Sequence, residues 1–303
     1  MATTNSKSSE NLVLGFAYYR EPAKRLAERA NVPYSEIEIH TFPDGESRVR
    51  LPLPVPEKAI VCLTLDHPNE KLVDLVLVAS TARRLGVRHL TLVAPYLCYM
   101  RQDKEFHPGE SISQKVIGEL LANNFDALVT VDPHLHRVHS LDQVFPGTTC
   151  VTLTATKPMS TFLGDTMENP ILIGPDEESE QWVASIAADS GYDYGVAKKK
   201  RTGDYNVDVD LPHMNFEGRD VVLVDDIASS GQTLVDAATK LKREKAGSVS
   251  VLVTHALFAD GAEKKLQHAG VKHIWSTDSV VHSSNCIYLD KLLADTLQFV
   301  YTG

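Results

Sequence analysis

Cysteine is scarce in this chain: Cys62, Cys98, Cys150 and Cys286 are spread over 303 residues without a single CxxC pair. Such spacing argues against a disulfide framework and for buried thiols in a reducing compartment. Long apolar runs are missing too, and none approaches the ~20 residues that a membrane span needs. The opening "MATTNSKSSE" has neither a secretion signal's apolar core nor a transit peptide's arginines. Together these absences point to the cytoplasm. Positive charge is not in excess either. With a net charge of −10, no basic face is expected for nucleic acid or a membrane surface. A local basic site for a small anion stays compatible with that balance.

What is present is a steady alternation. Hydrophobic content of 43% and charged content of 23% are those of a globular protein. The runs "NLVLGF", "KAIVCLTL", "HLTLVAPYL" and "DALVTVD" predict buried strands. Between them, "NEKLVDLVLVASTARRLG" and "ISQKVIGELLANN" carry apolar residues at helical spacing. The second half repeats the rhythm from "NPILIGPD" through "RDVVLVDD" and "SVSVLVTHALF" to "KHIWST". Alternation of this kind implies parallel sheets flanked by helices. Gly86, Gly191, Gly247 and Gly270 each follow a helical stretch, where a left-handed cap would end it. Both halves contain an apolar strand ending in Val-Asp, "VTVDPH" and "VLVDDI", which suggests a tandem pair of related α/β domains.

The most pointed stretch is "VVLVDDIASSGQT", Val221 to Thr233. A strand runs into adjacent carboxylates, Asp225 and Asp226, and then into Ser229, Ser230, Gly231, Gln232 and Thr233 ahead of a helix. Backbone N–H groups and hydroxyls at a helix start suit a phosphate. The two acids do not serve a phosphate; they suit sugar hydroxyls, or a metal ion bridging those hydroxyls. A phosphorylated ribose satisfies both ends. This stretch resembles the 5-phosphoribosyl diphosphate (PRPP) binding motif shared by type I phosphoribosyltransferases and PRPP synthetases.

The first half separates those two. "TFPDGESRVRL", "PYLCYMRQDKEFHPGESIS" and "VDPHLHRVH" resemble, in order and approximate spacing, signature segments of the PRPP synthetases, or ribose-phosphate diphosphokinases. The resemblance spans Leu12 to Thr302. Arg101 and Gln102 offer a guanidinium fork and an amide to phosphate or purine edges, with Asp103 placed to orient them. Phe42 can pack on a purine face, and Asp44 and Glu46 can accept hydrogen bonds from it or from ribose. The resemblance assigns these six residues and His134 to ATP. It also implies a homo-oligomer in which the Phe42 loop lies near a neighbouring subunit's ATP site.

The remaining roles come from the same resemblance. Asp132, His134 and Asp176 are implied contacts for Mg²⁺, although imidazole is an uncommon ligand for that ion, and action through water or phosphate stays open for His134. His136 and His139 read as structural or surface residues. In "AKKKRTGDYNVDV", Lys199 and Arg201 fill the family's Lys-x-Arg pattern over the reacting phosphates, with a shift to Lys198 and Lys200 as the other register. The expected fold is two tandem phosphoribosyltransferase-type I-like domains, each a mainly parallel sheet flanked by helices. Residues 1–152 would hold ATP and 153–303 ribose 5-phosphate, leaving open that the last helix packs back on the first domain. The expected reaction is Mg²⁺-dependent diphosphoryl transfer from ATP to ribose 5-phosphate. A phosphoribosyltransferase, a related phosphosugar kinase or a non-catalytic synthetase-associated protein are the alternatives. Ser229, Gln232 and "GPDEES" depart from the better-known members. "KEFHPGES" lacks their phosphate-regulation pattern and places the chain nearer an archaeal-type branch.

Overall fold

A computed structural model describes residues 11–135, 137–138, 140–201 and 207–300. His136, His139, the "TGDYN" of residues 202–206 and both chain ends lie outside the described residues. For residues 199–201, 207, 208, 260 and 298–300 the backbone alone is described. The chain forms two compact units, one taking residues up to Leu153 and from Leu289 onward, the other Thr154–Tyr288.

The first unit runs β1 (Asn11–Gly15), α1 (Arg20–Ala30), β2 (Tyr34–Glu36), β3 (Glu38–Thr41), β4 (Ser47–Arg50), β5 (Lys58–Cys62) and α2 (Pro68–Arg84). It continues through β6 (His89–Val93), α3 (Ser113–Ala122), β7 (Ala127–Val131) and β8 (Thr149–Leu153). Six strands form one sheet in the order β2-β1-β5-β6-β7-β8, and every pairing is parallel. Strands β3 and β4 form a separate antiparallel hairpin. The buried runs of β1, β5, β6 and β7 explain why these strands read as continuous apolar stretches rather than alternating ones. Leu14, Val61, Leu75, Val78 and Leu92 join one core, and each such side chain contributes roughly 1.5–3 kcal/mol by leaving water.

The second unit repeats this plan. Its elements are α4 (Thr156–Thr166), β9 (Ile171–Gly174), α5 (Glu180–Ser190), β10 (Tyr194–Val196), β11 (Lys198–Arg201), β12 (Val207–Asp210) and β13 (Asp220–Ala228). After them come α6 (Gln232–Arg243), β14 (Ser248–Ala256), α7 (Ala262–His268), β15 (Ile274–Thr277) and β16 (Asn285–Ile287). Again six strands pair in parallel, in the order β10-β9-β13-β14-β15-β16, and β11 with β12 makes a separate antiparallel hairpin. The last helix, α8 (Asp290–Val300), belongs to the first unit, where it packs on α1 and Asp290 pairs with Arg29 at 2.9 Å.

Three of the four expected glycine caps are left-handed: Gly86 (φ +100°), Gly191 (φ +74°) and Gly270 (φ +84°). Gly247 is not. Lys245 takes the left-handed turn after α6 (φ +60°), and Gly247 is required for another reason. A Cβ there would stand 2.7 Å from the carbonyl oxygen of Gly218. Cys62 and Cys98 are buried, Cys150 and Cys286 are half-buried, and none of the four is in a disulfide. Among the described residues no helix is long and apolar enough to cross a membrane.

Candidate active site

In parallel sheets the loops beyond the carboxyl ends of the strands collect ligands. In the second unit β13 delivers the acid pair there. Asp226 is 3% exposed and Asp225 is half-buried. Asp225 Oδ1 accepts the N–H of Asp226 at 3.0 Å. Burial, and then the charges of Asp226 and Asp176, push the Asp225 carboxyl well above the ordinary carboxylate range. Such a site is short of positive charge.

The chain then turns into α6 through Gly231, whose φ is +69° and whose added Cβ would meet the Ala262 methyl at 3.1 Å. No side chain caps the start of α6, so its first N–H groups lack the partner a Ser or Asp cap would supply. Gln232 does not turn into this loop: its amide donates to Asp236 Oδ1, one helical turn on, at 2.8 Å. Only its backbone remains for an anion. Asp176 is nearly buried just beyond β9. Its carboxylate caps a short helical turn by accepting Glu178 N–H at 3.1 Å, so one oxygen already has a structural task.

The hairpin of β11 and β12 carries the basic run. Its register sets Lys198 opposite Asp210 and Lys200 opposite Asp208, while Lys199 faces Val209 and Arg201 faces Val207. Along the strand, positions 199 and 201 alternate with 198 and 200.

In the first unit the topologically equivalent hairpin, β3 with β4, carries Phe42, Asp44 and Glu46 at its tip. Phe42 N–H donates to Glu46 O at 2.8 Å, Gly45 N–H to Phe42 O at 2.9 Å, and Glu46 N–H to Asp44 Oδ1 at 3.2 Å. The tip is thus a tight turn that presents Phe42, 40% exposed, with His40 against its edge. The segment after β6 is pinned to the start of α3, since buried Gln114 donates its side-chain amide to Met100 O at 3.2 Å. Arg101 is exposed and Gln102 lies 3.4 Å from Glu110 Oε2. Asp103 does not orient either of them: its buried carboxylate pairs with Arg137 Nη1 at 2.7 Å and accepts the Arg137 N–H at 3.3 Å. Past β7, Asp132 is 5% exposed and left-handed (φ +39°), a conformation that is costly off glycine and concentrates at functional sites. Half-buried His134 follows it. Among the described residues no three His, Cys, Asp or Glu side chains gather as a metal cluster by themselves.

Residues 12–124 match the family model for the N-terminal domain of ribose phosphate pyrophosphokinase, and residues 159–285 match the phosphoribosyl transferase domain. The ribose-phosphate pyrophosphokinase of Methanopyrus kandleri is 33% identical over 260 residues, covering 85% of this chain and 88% of that protein. The chain belongs to the ribose-phosphate pyrophosphokinase family. The enzyme of that name from Saccharolobus solfataricus is 33% identical over 283 residues, covering 88% and 92%. Both relatives are archaeal, in line with the expected branch. A phosphoribosylpyrophosphate synthetase from Mycobacterium smegmatis shares the fold, with a TM-score of 0.82 over 96% of this chain and 99% of that one at 23% identity.

In this ribose-phosphate pyrophosphokinase, the sequence alone does not signal two residues of this arrangement. Arg137 holds Asp103, and Glu110 accepts the N–H groups of Phe106 and His107 at 3.0 and 3.1 Å while facing Gln102. Arg137 lies 34 residues beyond its partner, a distance at which no local pattern signals pairing.

Proposed function

We propose that this chain transfers the diphosphoryl group of ATP to the anomeric hydroxyl of ribose 5-phosphate, giving PRPP and AMP. A bond forms between the anomeric oxygen and the β-phosphorus while the bond from that phosphorus to the α,β-bridging oxygen breaks. The bridging oxygen leaves with AMP, and the hydroxyl proton passes to solvent. The observation that carries this reading is the sequence of β13 acid pair, left-handed Gly231 and uncapped α6. It offers carboxylates to sugar hydroxyls and free N–H groups to the 5-phosphate at the two ends of one loop.

Asp225 and Asp226 would orient the ribose hydroxyls, and Ser229 to Thr233 would grip the phosphate, Gln232 through its backbone. Phe42, Asp44, Glu46, Arg101 and Gln102 would hold ATP, with Asp103 acting on the site through Arg137. Lys199 and Arg201 would neutralise charge on the transferred phosphates; the hairpin register supports that pair over Lys198 and Lys200.

Mg²⁺ fits the donors present. Asp225, Asp226 and Asp176 would offer oxygens; the burial of Asp225 and the charges beside it leave a demand for positive charge, and hard oxygens are what this ion takes. By family resemblance Asp132 and His134 are further contacts for the ion, His134 through water or phosphate. Bound there, the ion would polarise phosphoryl oxygens and acidify a coordinated hydroxyl.

Family membership supports a homo-oligomer with the Phe42 loop near a subunit boundary, and the cysteines outside any disulfide support a cytoplasmic setting. The pure chain should convert ATP and ribose 5-phosphate to AMP and PRPP with Mg²⁺, read by phosphorus NMR. Intact ATP with consumption of PRPP and a nucleobase would instead identify a transferase. An inert chain that alters a partner synthetase's rate would identify a regulatory subunit.

A further inference from the structure

Next to the acid loop lies a buried imidazole that the reaction above does not use. His255 is 1% exposed at the carboxyl end of β14, and its register partner is Ile227, just past the acid pair. The hydrogen at its Nδ1 can be assigned from the neighbours of Ser279. The carbonyl of Thr254 lies beyond the last pairing of β14 with β15 and accepts two hydroxyls, Thr277 Oγ1 at 2.7 Å and Ser279 Oγ at 2.7 Å. A carbonyl only accepts, so both hydroxyl protons are committed to it. Thr277 Oγ1 in turn receives the Ser279 N–H at 3.2 Å. With its one proton already given, Ser279 Oγ can meet His255 Nδ1, 2.8 Å away, only as an acceptor. Nδ1 must therefore bear a hydrogen.

The same strand end carries the acid loop. Leu257 and Phe258 donate their N–H groups to the carbonyl of Ala228 at 3.1 and 2.8 Å, immediately before Ser229. We propose that His255, held as an Nδ1–H donor, is a positioning residue for the phosphosugar loop. It ties the end of β14 to the buried 277–279 turn, and that end in turn sets the height of Ala228 and the loop that follows. This rests on reading Ser229 to Thr233 as the grip on ribose 5-phosphate.

The test has two readouts on the full chain. Nitrogen-15 NMR of labelled histidine should show His255 protonated at Nδ1, the signal being assigned by its loss in H255N. Calorimetry should then compare ribose 5-phosphate binding by wild type, H255N, H255Q and S279A. Asparagine places an N–H where Nδ1 stands, whereas glutamine reaches toward Nε2. H255N should bind within about threefold of wild type, while H255Q and S279A should each lose about tenfold or more, as small misplacements of a binding loop do. ATP affinity should stay within about twofold for all three. An Nδ1 without its proton, equal losses in H255N and H255Q, or equal losses for both substrates would overturn the proposal. The two possible failures are distinguishable: a wild type that binds no ribose 5-phosphate refutes the proposed function, and this positioning role with it. A wild type that binds it with no difference between the variants refutes the positioning role alone.

Discussion

The two units are built on one plan and differ where the chemistry lies. In each, a strand and helix lead to an edge strand, then an antiparallel hairpin, then a strand that returns to the middle of the sheet and passes through a loop into a helix. The returning strand of the second unit ends in Asp225 and Asp226, with Gly231 left-handed at the helix start. The returning strand of the first unit leads into buried Leu63 and Leu65, and its left-handed cap is His67, followed by Pro68. Proline brings no N–H to that helix start, so α2 has one donor fewer to offer an anion. The first unit also fills its own loop: Lys71 Nζ lies 2.6 Å from Asp66 and 3.0 Å from the carbonyl of Thr64. A shared scaffold thus yields one proposed phosphosugar grip and one loop closed by its own cation. The hairpins diverge in the same way, one tipped by Phe42 and acids, the other carrying the basic run.

The sharpest way to break this comparison is at the second hairpin. R201A should lower kcat by roughly 10³-fold, as loss of a phosphate-neutralising arginine does, whereas K198A should change it by less than about threefold. Equal losses would return the register to Lys198 and Lys200. Next comes the acid pair. D225N should abolish most PRPP formation, by about 10²-fold or more, yet raise the melting temperature by a few degrees because a buried, crowded charge is removed. A variant that loses both activity and stability would contradict the account of Asp225.

A reciprocal exchange at the two helix caps should give smaller effects of opposite sign. G231A forces a side chain into a left-handed position against Ala262 and should cost about 1 kcal/mol or more, seen in denaturant melts together with weaker ribose 5-phosphate binding. H67G relieves a similar conformation (φ +45°) in the first unit and should gain at most about 1 kcal/mol with kinetics unchanged. The smallest effect belongs to Asp74, 7% exposed on α2, whose carboxyl is raised by burial with a further push from Glu70. A raised carboxyl favours the neutral form in the folded state, so its stabilising contribution is lost as pH rises through the folded value. The stability of D74N relative to wild type should therefore improve from pH 4 to pH 8, in melts across that range.

Much of the fold is legible along the chain because strands buried on both faces must be apolar without interruption. "NLVLG", "KAIVC" and "VVLV" announce themselves for that reason. The two hairpins do not. Their strands are four residues long, and in β3 and β4 the exposed residues outnumber the half-buried ones at the tip, so no apolar period marks them. Helix α1 is faint in the sequence as well: Ala23, Leu26 and Ala27 lie at helical spacing, but small alanines make a weak stripe. Among candidate site residues, those strung along one loop could be proposed together from order alone. The partner of Asp103 cannot be read from order alone, because Arg137 comes from a loop beyond another strand.

By itself the sequence determined which residues are rich in chemistry: the acid pair, the small-residue loop, the basic run and the aromatic-acid turn. Side-chain type and local order are enough for that, since a phosphate asks for N–H groups and a sugar for carboxylates wherever they occur. Tertiary structure alone decided which positions of the second hairpin stand opposite one another and which nitrogen of His255 holds its proton. Each of those depends on a partner brought in by another strand, and hydrogen-bond and charge energies fall off within a few ångströms, so only the folded chain can assign them.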